Sequence, residues 1–171
     1  MNQQQTLAEC VLQSQFLLKR YLKGFDDTNC TKQVPGLPNH VAWSLGHLAL
    51  TMHRTAEKFD GLPLPPSEFL HMKNSDRAYD TESVSFNSQP ADDPAKYPGF
   101  HRCVEIFDNA IARLSTAVAK ADDAKLNAMT KWGQMDVVMW TLIPRLAFHN
   151  GFHTGQIADL RRALGIGSIF T

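Results

Sequence analysis

One segment constrains the fold of this 171-residue chain more than any other. Residues 60–96 hold five of the nine prolines, and neither a helical nor a strand period runs through them. Proline breaks helices and removes a hydrogen-bond donor from sheets, so this stretch must be a connection. A structureless loop of that length is unusual inside a compact domain. A long crossover joining two parallel helices accounts for it, as in bundles with long connections.

The sequence on both sides reads as helix. Helix one is expected over residues 6–23, with Thr6 as its cap, Leu7, Val11, Ser14, Leu18 and Tyr21 at helical spacing, and Gly24 as its stop. Helix two follows Pro35-Gly36-Leu37-Pro38, capped by Asn39, and runs to about Phe59. Helix three is expected over residues 97–121, where Pro98 suits a first turn and Val104, Phe107, Ile111, Leu114 and Val118 form the apolar stripe. Helix four is expected over residues 135–164, kinked by Pro144 and stopped by Gly165. A short helix fits residues 122–129. There is no convincing strand pattern, internal repeat or low-complexity segment. The expected fold is all-α: a four-helix bundle with a long crossover between helices two and three, in a single domain over residues 1–171.

Charge excludes some function classes. Lys plus Arg and Asp plus Glu both total 17, giving a formal net charge of zero. That balance gives no electrostatic basis for binding nucleic acid. No apolar run is long enough to span a bilayer. The polar start, Met1-Asn2-Gln3-Gln4-Gln5, lacks the regions of a signal peptide. Cys10, Cys30 and Cys103 are scattered singly, without CxxC spacing. The expectation is a cytoplasmic protein with reduced thiols.

Histidines carry the chemistry. His149 and His153 are four residues apart, which puts them on one helix face. They share register with Leu142, Leu146, Leu160 and Leu164, so the two imidazoles sit in an apolar stripe. Either buried hydrogen bonds satisfy them or they bind something that prefers nitrogen ligands. His47 sits mid-helix among apolar and small residues, and Gly46 with Ala42 and Ala49 forms a small-residue ridge that would let another helix approach closely. If that helix is the fourth, His47 faces the pair. Three neutral imidazoles from two helices would suit zinc, nickel, iron or cobalt, and geometry alone does not choose among them; the overall expectation is zinc or nickel first, then iron, cobalt or manganese. Three protein ligands leave positions open for water or substrate, as in catalytic metal sites. No glutamate stands between the pair, so the HExxH motif is absent. Gln156 is either a hydrogen-bonding neighbour of His153 or a surface residue. Arg161 and Arg162 read as solvated or paired at the helix end. His71 and His101 read as solvated or locally bonded, His40 as a first-turn or capping residue, and His53 as pointing to another side of helix two.

Asn39 to Leu48, with Trp43 and Leu45-Gly46-His47-Leu48, taken with His149-x3-His153-x-Gly155-Gln156-Ile157-x2-Leu160-Arg161-Arg162-x-Leu164-Gly165, resembles the DinB/YfiT-like family. The resemblance covers most of the chain and implies a metal-binding four-helix bundle. It implies metal ligands at His47, His149 and His153, none of them substituted here, and a homodimer paired through helical faces. The activity it implies is open. Related bundles include thiol-dependent S-transferases and a thiol-dependent maleylpyruvate isomerase, and many members have no known reaction. The leading expectation is a metal-dependent S-transferase that uses a low-molecular-weight thiol on a small-molecule electrophile. The alternatives are a metal-dependent hydrolase, with Asp136 and Asp159 only distant candidates for its base, and a non-enzymatic metal-binding or stress-linked bundle. Neither nucleic acid nor a membrane is expected as a partner. The crossover and Lys131-Trp132 lie outside the motif and are candidates to shape the pocket.

Overall fold

The apolar stripes fold as helices in the computed structural model, which describes residues 1–71, 81–91 and 93–170. The helices are α1 (Gln3–Gln13), α2 (Phe16–Tyr21), α3 (Val41–Asp60), α4 (Phe100–Ala119) and α5 (Asp123–Asn127). A hairpin, β1 (Met129–Trp132) and β2 (Met135–Val138), precedes α6 (Leu142–Ala163). Helices α1 and α2 together form one stave of the bundle, and α3, α4 and α6 form the others. The α1–α2 stave packs on α4 and α6, and α3 packs on the same two helices. Leu18, Leu45, Leu48, Ile106, Phe107, Leu114 and Leu142 fill the shared core. Among the described residues no helix is long and apolar enough to cross a membrane.

The crossover joins parallel helices, as its composition predicts. At their N-terminal ends the rings of His40 and Tyr97 meet edge-on at 4.6 Å. Towards their C-terminal ends Arg113 of α4 binds Asp60 of α3 at 3.1 Å. Single 3₁₀ turns at Pro66–Phe69, Thr81–Val84 and Pro94–Lys96 give the segment some local structure. Residues 72–80 and 92 of the expected crossover lie outside the described residues.

Several boundaries differ from expectation for identifiable reasons. Helix one is two helices, broken at Ser14 and Gln15. Ser14 turns its hydroxyl onto the Val11 carbonyl at 2.6 Å and accepts from Asn150 at 2.8 Å, a local bond that competes with helix continuation. Its cap is Asn2, not Thr6, in a capping box with Gln5. Helix two is capped by His40, not Asn39: the imidazole Nδ1 accepts from the Trp43 amide at 3.1 Å. Helix three begins at Phe100, two residues beyond Pro98. The expected helix over residues 135–141 is instead strand β2 and a 3₁₀ turn. Strand β2 pairs antiparallel with β1, Lys131 facing Asp136 and Trp132 facing Met135. Gly133, at φ +58°, takes the first position of the two-residue turn, where a type II′ hairpin favours glycine. Pro144 does not kink α6. It falls in the first turn of a helix that starts at Leu142, where its missing N–H breaks no bond. Arg161 is buried, not solvated, and its guanidinium donates to the carbonyls of Tyr21 at 3.0 Å and of Lys23 and Gly167. Arg162 pairs with Asp159 at the surface, as expected.

Candidate metal centre

Helix α3 packs much more extensively along α4 than along α6. The looser α3–α6 seam is where His47, His149 and His153 converge. Each offers one ring nitrogen, and these atoms all lie within 4.8 Å of one another. The ring centroids are 5.1 Å apart for His47 with either partner and 4.7 Å apart for His149 with His153. The one-turn spacing of the α6 pair sets the last distance.

The crossover fixes the orientation of His47. Its Nδ1 lies 2.7 Å from the Val84 carbonyl. A carbonyl only accepts, so Nδ1 carries the proton and Nε2 keeps its lone pair. The Trp43 ring stacks on the His47 ring at 4.7 Å and 10°. The indole N–H donates to Ser83 O at 2.9 Å and to Ser88 Oγ at 3.1 Å. Residues 83–88 thus clamp both aromatic rings of α3. Sequence reasoning could not find this clamp, because two of its acceptors are backbone carbonyls.

Electrostatics keep the three rings neutral. Burial pushes His47 below the ordinary histidine value, partly offset by Val84, and the charge on Arg54 pushes it further. Burial takes His149 down to about 4, with a smaller push from His47. Burial takes His153 to about 3, with His149 and His47 adding to the effect and Gln156 opposing it. Gln156 therefore stands beside His153, and its amide oxygen also accepts from Asn39 at 3.3 Å.

Hydrogen bonding satisfies the α6 pair only in part. Among the described residues, the buried Nδ1 atoms of His149 and His153 have no hydrogen-bond partner of ordinary geometry. The Nε2 atoms of His47 and His149 lie 3.2 Å apart. Two nitrogens each bound at about 2.0–2.1 Å to one tetrahedral ion stand roughly 3.3 Å apart. Neutral imidazoles with this spacing fit a divalent transition metal, and the cluster could hold one. No carboxylate joins it among the described residues. Asp136 is tied to Lys131 at 2.8 Å and Asp159 to Arg162 at 2.6 Å, both in exposed pairs.

Two hollows flank His149, and Trp132 lines both. One, of about 610 Å³, lies between α3, the crossover and the hairpin and reaches His47. The other, of about 670 Å³, is an open groove on α6 beside the exposed rings of Phe148 and Phe152. Lys131 and Trp132 do shape the space beside the triad. The other histidines lie outside the cluster: His53 faces Arg113, His40 caps α3, and His101 is exposed in the first turn of α4.

A profile of the DinB superfamily matches residues 13–157. A crystal structure described as that of a conserved protein from Enterococcus faecalis aligns over 95% of this chain and 97% of its own, with a TM-score of 0.72 and 13% identity. At that identity the likeness speaks for the fold. No curated protein matches the chain. The profile spans most of the sequence and includes all three histidines, and the chain belongs to the DinB superfamily.

Proposed function

We propose that this protein is a divalent-metal-dependent enzyme of the thiol S-transferase type, acting on small electrophiles. The observation that carries the reading is the convergence of three neutral imidazoles beside a hollow large enough for small molecules. His47, His149 and His153 would hold zinc or nickel. A divalent ion there would lower the pKa of a thiol that reaches an open position, making thiolate available near neutral pH. In the transfer the sulfur–carbon bond forms, the bond to the electrophile's leaving group breaks, and the thiol proton goes to the departing group.

The chain's own residues support this chemistry by positioning. Val84 holds His47 in the tautomer whose Nε2 is free to coordinate. Trp43 holds the plane of that ring. Trp132, Phe86 and Leu50 give the hollow an apolar wall, which limits water around a thiolate. A hydrolase would need a base near its attacking water, and the two aspartates considered for that role lie exposed at the surface, outside the histidine group.

The test begins with elemental analysis of protein purified without a histidine tag, where about one ion per chain is expected. The loaded protein is then given bacillithiol, mycothiol or glutathione with a panel of electrophiles. Turnover with at least one thiol, well above a His47→Ala control, is expected. If no thiol exceeds that control, the transferase reading fails. A metal-dependent rise in melting temperature without turnover would then favour a non-enzymatic metal-binding bundle.

A further inference from the structure

The hollow beside the triad is one-sided in charge. His47 and His149 stand in its lining, and the charged side chains among its other lining residues are Arg54, Lys58 and Lys131. Among the described residues no carboxylate lines it, although the chain as a whole carries as many acids as bases. The α3 contribution follows from spacing: His47, Thr51, Arg54 and Lys58 are separated by four, three and four residues, which is one helix face. The hairpin brings Lys131 and Trp132 to the same space, and the crossover brings Phe86.

The cations are available to a ligand. Arg54 pairs with Glu82 at 3.3 Å and Lys131 with Asp136 at 2.8 Å, but all four side chains are more than half exposed. Exposed pairs of this kind hold weakly and exchange partners. Lys58 makes no hydrogen bond or ion pair among the described residues. The triad contributes no negative charge either, so a divalent ion bound by it would keep its full positive charge.

Distance sets the shape of what fits. Along the helix axis Arg54 lies about 10 Å and Lys58 about 16 Å from His47. Helical side chains lean towards the N-terminus, which carries the guanidinium back towards the triad. We infer that this hollow selects an elongated organic acid, its carboxylate held by Arg54, Lys58 and Lys131, its apolar middle against Trp132 and Phe86, and its reacting group at the histidines. The assignment of the reacting end rests on the thiol-transferase reading, while the charge selection does not.

The test uses two terminal thiols of equal length, mercaptohexanoate and mercaptohexanol. Each is titrated into cobalt-loaded protein, following sulfur-to-cobalt absorption. Each is also titrated into metal-free protein, following the Trp132 indole signal by NMR. The acid is expected to bind about tenfold more tightly than the alcohol at low salt, with the preference shrinking as salt rises. In an Arg54→Gln/Lys58→Gln variant with wild-type cobalt content and circular dichroism, the preference should fall to within about threefold. Equal binding of the two thiols by wild type overturns the inference, as does a preference that survives in the variant. An acid preference without any cobalt–sulfur band overturns the thiol reading and leaves the acid selection standing. A band without preference does the reverse. If neither thiol perturbs either signal, the inference falls.

Discussion

His47 and His53 are buried on the same helix, six residues apart, yet their surroundings are opposites. His53 faces α4, where its Nδ1 accepts from the Arg113 guanidinium at 3.2 Å and Arg113 in turn binds Asp60 at 3.1 Å. His47 faces α6, where its Nε2 meets another imidazole nitrogen at 3.2 Å. Both rings are held neutral, mainly by burial. What differs is the group each ring nitrogen meets. A guanidinium occupies the His53 Nδ1 lone pair at 3.2 Å and repels any cation there, whereas His47 Nε2 meets a second imidazole nitrogen and feels Arg54 only as a smaller effect. Burial and a low pKa therefore do not identify a ligand by themselves; the neighbour's charge and lone pairs do.

The sharpest way to break this contrast is metal content. His149→Ala should take bound metal from about one ion per chain to near zero. His53→Gln should leave it unchanged. Elemental analysis of both proteins decides the matter, and equal metal in His149→Ala and wild type would remove the distinction between the clusters. Arg113 tests the other side. Arg113→Ala strips Asp60 and His53 of their shared partner and should cost about 2–3 kcal/mol in chemical denaturation. Metal content should not move.

How much of this was legible depended on whether side chains or backbone made the decisive contact. The pair on α6 was legible because helical spacing alone puts His149 and His153 on one face, and the Leu register around them gives that face its burial. The parallel packing of α3 and α4 was legible from prolines. The clamp on His47 was not, because Val84 and Ser83 act through carbonyls that any residue carries. The hairpin was hidden because its four-residue strands are too short to show alternation and Val137-Val138 continues into apolar Met139-Trp140. Arg161 misled for a related reason: its partners are carbonyls at the end of α2 and in the C-terminal segment, which only the closed bundle brings together.

The two regions should also separate by pH. Burial and the charge of Arg113 lower His53 from 6.5 to about 4. Between those values the unfolded chain takes up a proton that the folded chain refuses. The group's contribution to stability is therefore full above about pH 6.5 and is lost as pH falls towards 4. The loss approaches about 1.4 kcal/mol per pH unit for one group. In metal-free protein His149 and His153 behave in the same sense, with folded values of about 4 and 3. Denaturation of metal-free His53→Gln across this range should show a shallower slope than wild type, with the α6 pair supplying what remains. An unchanged slope would mean that His53 takes up its proton without unfolding.

The smallest effect concerns how the crossover serves His47 and not His53. Trp43→Phe keeps an aromatic ring against His47 but removes the N–H that binds Ser83 and Ser88. Two acceptors in the crossover lose their donor, so a stability cost of about 1 kcal/mol is expected. The more telling consequence lies at the metal. The indole holds residues 83–88 in place, and the Val84 carbonyl in that stretch fixes the His47 tautomer. Loosening it lets the ring turn or exchange its proton, which should weaken metal binding by up to about tenfold, as loss of an outer partner does elsewhere. Competition with a chromogenic chelator measures this directly. His53 gains nothing from the clamp, so the pH slope it supplies should stay as it is in Trp43→Phe. If metal affinity and that slope shift together, the crossover acts on α3 as a whole. If affinity alone falls, the proline-rich connection is a specific support for the metal face of the helix.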